Sequence, residues 1–224
     1  MEKYLIKINL LTDAVFGSGY SVPGYIDLDV MYDDYGFPYI NGKTLKGKLG
    51  EMATVFVNMI KSLPGQADYG EELQIKRDKL FGVSDRYYHD KLKFSDCEIS
   101  KNVREYFKAH MKSSDIKPTE ILESLTHVDT ATSIDYKTGA AKKNSLRNFR
   151  AINRGIVLYS TITSPTELED DEKIILASAC SLLRHLGSFE TKGKGYAEAS
   201  LLYNGEDVTA DYIKLLDKRV KANV

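Results

Sequence analysis

The sequence has few of the features that mark secreted, zinc-binding or membrane proteins. Only two of its 224 residues are cysteine, Cys97 and Cys180, and both stand among apolar residues. In a chain of this length they predict buried thiols rather than a disulfide framework, which favours a reducing cytoplasm. No Cys and His residues have zinc-site spacing. No apolar run approaches the ~20 residues of a membrane-spanning helix, and we expect no signal peptide because the first residues begin a strand pattern directly.

A basic excess, which nucleic-acid-binding proteins often carry, is also absent. The formal net charge is −1, and this argues weakly against a nucleic-acid partner. The charges are unevenly spread, however. Residues 134–154 hold six basic side chains against one acid, whereas residues 27–34 hold four aspartates and no base. A neutral total can therefore combine a basic face with an acidic face, and a mixed solvated surface is the alternative.

Apolar periodicity predicts an α+β protein of one domain, residues 1–224. Strands are predicted over 3–12, 92–99, 156–163 and 196–203. Helices are predicted over 45–63, with Thr44 as N-cap, and over 169–186, with Gly187 as the residue after the helix. The order β, α, β, insertion, β, α, β is typical of a ferredoxin-like (βαββαβ) antiparallel sheet with two helices on one face. Insertions are expected at about 64–91 and 100–155, the second being long, polar and basic.

Lysines are concentrated at two predicted turns. Lys43, Lys46 and Lys48 surround the start of the first long helix, where cations are unfavourable unless an anion such as phosphate also binds. The second turn holds Lys192, Gly193, Lys194 and Gly195, between the last helix and the last strand. Its glycines would let a phosphate approach the backbone, but a glycine-rich turn alone is weak evidence. Solvated lysines and an ordinary turn are the alternatives.

Two further segments are candidates for nucleic-acid chemistry. In the polar arm 129–154, Ile134 could wedge between bases, and Ser145, Arg147 and Arg150 could hold phosphates. A disordered basic loop is the alternative. The aspartates at 27, 29, 33 and 34 could bind Mg²⁺ through oxygen ligands, or could form the solvent-exposed face of an edge strand. The four histidines are scattered, and none belongs to a nucleophile motif.

Four stretches together resemble the RAMP superfamily, the repeat-associated subunits of CRISPR–Cas effector complexes. GFPYINGKTLKGKLGE is similar to the family's G-x-P-Y-I-x-G-x-x-L-K-G-x-L-R-E segment, and FSDCEI to its F-S-D-A strand. TATSIDYKTGAAKKNSLRNFR resembles its thumb segment, and RHLGSFETKGKGYAEASL its C-terminal glycine-rich loop. The order is that of the family, and the type III (Csm/Cmr-like) subunits are the most similar. Lysine replaces arginine in the glycine loop, and Gly50 stands where the pattern has arginine.

The resemblance implies an RNA-binding core that assembles with other effector subunits along a guide RNA, as backbone or capping copies, without a membrane. Thr132, Ile134 and Asp135 would belong to a thumb that interrupts pairing between guide and target RNA. Lys43, Lys46, Lys48, Arg147, Lys192 and Lys194 would face guide phosphates. Asp27 is the match for the aspartate with which backbone subunits cut target RNA, using Mg²⁺ or another divalent metal.

Two other functions remain as alternatives. One is a stand-alone guide-processing endoribonuclease of the same superfamily, whose members usually use a histidine without metal. No histidine precedes His89, which counts against this function. The other is a ferredoxin-like module that binds a small ligand or a protein. It predicts RNA affinity nearly independent of salt, whereas an RNA-binding subunit loses affinity steeply as salt rises.

Overall fold

The computed structural model describes residues 2–83 and 92–222. Its strands are β1 (Glu2–Leu10), β2 (Lys93–Phe94), β3 (Glu98–Ile99), β4 (Thr126–Ala131), β5 (Arg147–Ile152), β6 (Val157–Ser164), β7 (Ala197–Tyr203) and β8 (Glu206–Asp207). Its α-helices are α1 (Gly42–Lys61), α2 (Ala67–Phe81), α3 (Lys101–Ser114), α4 (Pro118–Leu125), α5 (Asp170–Leu182) and α6 (Thr209–Ala222). No helix within these residues is long and apolar enough to cross a membrane.

The main sheet is built around β1, and every pairing in it is antiparallel. β1 lies between β6 and β7, so that Ile6 is opposite Ser160 on one side and Leu201 on the other. β2 and β3 pair with the far edge of β6, and β8 pairs with β7, which gives the order β2-β6-β1-β7-β8. The expected mixed fold of helices and an antiparallel sheet is confirmed.

One face of the sheet carries the core. Tyr4, Ile6, Ile8 and Leu10 alternate along β1, are fully buried, and join the apolar faces of α1 and α5 in one cluster. On the opposite face of β1, Lys3 and Lys7 are exposed, and Leu5 and Asn9 are partly buried. Cys97 and Cys180 are buried free thiols, as expected.

The start of α1 and the end of α5 differ from the sequence-based expectation. Asn41, not Thr44, caps α1, because its side-chain oxygen accepts a hydrogen bond from the Lys43 backbone N–H at 2.9 Å. α5 ends at Leu182, because Leu183 adopts an extended backbone (φ −67°, ψ 120°). Gly187 therefore lies in a connecting segment and does not terminate the helix.

The two predicted insertions contain regular structure. The region before residue 92 includes α2, while the end of the expected 64–91 insertion, with His89, lies outside the described residues. The predicted strand 92–99 is divided into β2 and β3. Residues 100–155 form α3, α4 and an antiparallel hairpin of β4 and β5, which we call the β4–β5 hairpin, with residues 132–146 as its tip.

Candidate nucleic-acid interface

A groove separates the first turns of α1 from the segment that follows α5. We call it the α1 groove; its volume is about 460 Å³. Lys43, Thr44, Gly47 and Lys48 line one side, and residues 185–188 line the other. The start of α1 is fixed by Asn41 and by Asp96, whose carboxylate accepts a hydrogen bond from the Gly42 N–H at 2.7 Å. The structure thus brings Lys43 and Lys48 close to the segment after α5.

The α1 groove is mixed in charge. Lys43 is exposed at its edge, but Lys48 forms a 3.0 Å ion pair with Glu51, and Glu190 also lines the groove. Lys46 lines a separate cleft beside α2. Of the three helix-start lysines, Lys43 and Lys48 therefore face this groove, and Lys48 does so beside a carboxylate.

The glycine loop divides its four predicted RNA-binding residues into two kinds. Lys192 and Gly193 are exposed, and the Lys192 ammonium lies 5.1 Å from the centre of the Phe189 ring. Gly195 is buried, and a Cβ there would lie 2.1 Å from the Leu186 carbonyl oxygen. Its backbone N–H donates to the Asp13 carbonyl at 2.7 Å. Glycine at 195 is thus explained by packing within the chain.

Lys194 points inward and joins three segments of the chain. Its ammonium lies 3.1 Å from a carboxylate oxygen of Asp13, after β1, and 3.0 Å from one of Asp129, on β4. His127 lies 3.8 Å from the same Asp13 oxygen. We call Lys194, Asp13 and Asp129 the Lys194 clamp. Only 18% of the Lys194 side chain is exposed, and its ammonium already pairs with two carboxylates, so the clamp leaves little positive charge for an RNA phosphate.

The pKa values of the clamp follow from these contacts. Burial opposes ionisation of Asp13, but a hydrogen bond from the Arg154 N–H and the nearby Lys194 hold the pKa of this carboxyl below its ordinary value. The hydrogen bond from Lys194 lowers the pKa of Asp129. Burial works against the charge of Lys194, but its hydrogen bonds to Asp129 and Asp13 raise the Lys194 pKa. All three groups are charged at neutral pH.

The tip of the β4–β5 hairpin is ordered by its own polar groups. The Asp135 carboxylate accepts hydrogen bonds from the Lys137 and Thr138 N–H groups, and the Ser145 hydroxyl bonds the Ser133 backbone. Thr132 and Ile134 project from this tip, and 66% of Ile134 is exposed. Ser145 and Asp135 therefore shape the turn, while Ile134 is available to a partner.

Arg147 and Arg150, both on β5, have opposite environments. Arg147 is exposed. Arg150 is 8% exposed, and its Nε donates to an Asp29 carboxylate oxygen at 2.9 Å while Nη1 donates to the Thr126 hydroxyl at 3.2 Å. The structure leaves Arg147 on the surface and uses Arg150 to hold the base of the hairpin.

Asp27 is exposed beside the hairpin. Its backbone N–H and its carboxylate both bond the Asn148 backbone, the latter at 2.7 Å. The neighbouring aspartates have other partners, because Asp29 pairs with Arg150 and Asp33 pairs with Arg104. Within residues 2–83 and 92–222, no three His, Cys, Asp or Glu side chains gather as a metal site. A metal at Asp27 would therefore take oxygens from its substrate and from water, as Mg²⁺ does beside nucleotide phosphates.

Sequence reasoning missed two apolar side chains at the hairpin tip and one residue beside α1. Tyr136 is 100% exposed and Leu146 is 64% exposed, which makes them candidates for contact with a partner. An aromatic residue within a polar, basic arm was the available signal. Arg77, on α2, lines the cleft that also contains Lys46. No pattern in the sequence connects Arg77 with α1, because α2 packs beside α1 through tertiary contacts.

Comparison with known proteins identifies the family. No curated protein matches the sequence. One solved structure, described as a cryo-EM structure of the Type III-B Cmr-beta bound to cognate target RNA, matches with a TM-score of 0.64 and 14% identity, covering 95% of this chain and 99% of the other. The apo state of Type III-B Cmr-beta matches with a TM-score of 0.61 and 15% identity, covering 92% and 99%. The RAMP superfamily model matches residues 7–198, and this chain therefore belongs to the RAMP superfamily.

Proposed function

We propose that this chain is a guide-RNA-binding structural subunit, backbone or capping, of a type III CRISPR–Cas effector complex. The strand order β2-β6-β1-β7, with β2 and β3 together as one interrupted strand, supports the ferredoxin-like topology. The similar Cmr-beta structure is described as bound to cognate target RNA, which supports RNA and effector subunits as partners. The buried free thiols are in keeping with a cytoplasmic site of action.

One observation carries the proposal: residues 185–188 and Glu190, which lead into the glycine loop, lie across the α1 groove from the start of α1. Helix N-terminal N–H groups favour anions, and Lys43 stands there exposed without a first-turn acid to neutralise it. Lys192 and Arg147 add exposed cations on the glycine loop and the β4–β5 hairpin. A guide-RNA backbone lying along these elements would place a phosphate within reach of each.

The test is the salt dependence of RNA binding. We expect binding of a labelled single-stranded RNA to weaken steeply as salt rises, and Lys43→Gln or Lys192→Gln to reduce the slope of log K against log[salt] by about one each. Lys214→Gln, on α6, is the matched control, because Lys214 is also an exposed lysine but lies outside the groove. Affinity independent of salt would instead favour a module that binds a small ligand or a protein.

We propose Asp27 as the residue that cuts target RNA in the assembled complex. Its exposure and its position beside the hairpin support this role, and a divalent metal would supply a Lewis acid at the scissile phosphate. Asp27→Ala should abolish cleavage of complementary RNA in Mg²⁺ while guide binding persists. Asp34→Ala removes another exposed carboxylate of the same segment and serves as the control. Cleavage by Asp27→Ala at the full rate would exclude the role.

A second candidate, guide processing, is favoured by the position of His185. This histidine lines the α1 groove, where an imidazole could serve as general acid or base without metal. If the chain processes guide precursors, cleavage should survive a metal chelator and disappear in His185→Ala. If cleavage requires Mg²⁺ and survives His185→Ala, guide processing at this groove is excluded.

A further inference from the structure

A second cleft lies on the other side of α1. We call it the α2 cleft; its volume is about 380 Å³, and its lining includes Lys43, Lys46, Gly47, Gly50, Arg77 and Phe81. Lys43 and Gly47 also line the α1 groove, so the first turns of α1 form a ridge between the two. The α2 cleft thus continues the cationic surface of the α1 groove towards α2.

Gly47 stands on this ridge without a reason in the packing of the chain. It is exposed, it lies inside α1, and a Cβ built there would meet no atom within 4 Å. Glycine is less favourable than alanine inside a helix, so the position lacks the stabilisation that any small side chain would add. Gly50, on the same helix, differs, because it is buried and a Cβ there would lie in ordinary van der Waals contact with Phe81, at 3.4 Å. Bare backbone on an exposed helix is typical of a surface that a ligand approaches closely.

Arg77 lines the α2 cleft, and 18% of its side chain is exposed. Nη2 donates to the Gly50 carbonyl oxygen at 3.1 Å, which fixes the side chain against α1, and Nη1 lies 3.0 Å from an Asp78 carboxylate oxygen. Asp78 also accepts a hydrogen bond from Gln74 at 2.8 Å, so its charge is shared between two donors. Arg77 differs from Lys194 because it pairs with one carboxylate rather than two, and each terminal nitrogen keeps a second N–H. A planar guanidinium fixed in this way loses little freedom when it binds a phosphate.

We propose that an RNA backbone crosses α1 at Gly47, passing from the α1 groove into the α2 cleft, with Arg77 as a further phosphate contact. This proposal rests on the RNA-binding function proposed above and extends the RNA path to α2. RNA is the favoured ligand because its backbone carries a continuous series of phosphates. Such a chain can contact cations in both clefts while its backbone passes over the exposed Gly47 between them. A compact anion would occupy one cleft and leave Gly47 unexplained.

The first test adds bulk at Gly47. We expect Gly47→Ala to raise the midpoint of thermal unfolding and yet weaken binding of a labelled single-stranded RNA. Gly47→Leu should weaken binding by about tenfold, or ~1.4 kcal/mol. Asn58→Leu, at an exposed position further along α1, should leave RNA affinity unchanged. A purely structural role for Gly47 cannot produce higher stability together with lower affinity. RNA affinity unchanged in both Gly47 variants would overturn the proposal.

The second test removes the guanidinium. Arg77→Gln should reduce the salt slope of RNA binding by about one, while Lys79→Gln, at an exposed lysine of the same helix, should not. Thermal unfolding checks that Arg77→Gln folds, and the Gly47 variants decide the question if it does not. If the wild type binds RNA in a salt-dependent way but neither site matters, the RNA path to α2 is wrong and the proposed function stands. If the wild type shows no salt-dependent RNA binding, both proposals fail.

Discussion

The two ends of the β4–β5 hairpin are built in opposite ways. At its base, Phe149 packs against Phe189 of the glycine loop with ring centres 4.7 Å apart, and Arg150 is buried against Asp29. At its tip, Ile134 and Tyr136 are exposed, and the hydrogen bonds are local. Similar residue types therefore have different tasks: arginine and aromatic side chains fix the base to the body of the protein, whereas the tip leaves apolar side chains for a partner.

The largest expected effect is at the base. Arg150→Met leaves Asp29 as a buried, unpaired carboxylate and removes the hydrogen bond to Thr126, so we expect the free energy of unfolding to fall by about 3–5 kcal/mol. Denaturant unfolding measures this loss.

Two variants sharpen this result. Arg147→Met, at the exposed arginine of the same strand, should change stability by no more than about 0.5 kcal/mol. Asp29→Asn combined with Arg150→Met should recover part of the loss, because no charge is left unpaired. Equal losses for Arg147→Met and Arg150→Met would contradict the contrast between the two arginines.

A smaller effect is expected at the Lys194 clamp. Lys194→Met removes the ammonium that pairs with both Asp13 and Asp129. It should lower the free energy of unfolding by about 1 kcal/mol at neutral pH, since the three groups are partly exposed. Lys192→Met, two residues away, should cost less, because Lys192 is exposed. Denaturant unfolding of both variants tests the difference.

The pH dependence of the clamp gives its signature. The folded-state pKa values of Asp13 and Asp129 are lowered below the ordinary 3.8, so their contribution is present above that pH and is lost as pH falls through the folded values. The pKa of Lys194 is raised above the ordinary 10.5, so its contribution is fully present below pH 10.5 and is lost as pH rises through the folded value. The stability difference between wild type and Lys194→Met should therefore shrink below about pH 3.8. A difference that stays constant into strong acid would exclude the ionic clamp.

Local patterns predicted more of this structure than long-range pairing did. Apolar residues at 45, 49, 52, 56, 60 and 63 predict one buried helix face, because helical periodicity depends only on near neighbours. Four of the six are buried, whereas Met52 is partly buried and Leu63, just after the end of α1, is 44% exposed. The partners of Arg150 and Lys194 could not be read in this way. The partner carboxylates, Asp29 and Asp13, lie 121 and 181 positions away in the chain. Nothing in the local sequence distinguishes Arg150 from Arg147 or Lys194 from Lys192.

The smallest expected effect on stability is at the hairpin tip, where the effect on RNA should be the clearest. Ile134→Ser combined with Tyr136→Ser removes two exposed side chains with no core contacts to lose, so stability should change by no more than about 0.5 kcal/mol. If the tip inserts between guide and target RNA as a thumb, some target nucleotides are left unpaired in the wild-type complex. In the assembled complex of the double variant, these target nucleotides should pair with the guide.

Chemical probing of target RNA bound to the guide-loaded complex measures this change. Tyr106→Ser is the matched control, because Tyr106 is 60% exposed but lies on α3, away from the hairpin. Its probing pattern should equal that of the wild type. Unpaired nucleotides that persist in the Ile134→Ser and Tyr136→Ser double variant would show that the side chains of the tip do not separate the strands. The exposed end of the hairpin would then differ from the base in stability alone, and its apolar side chains would need another partner.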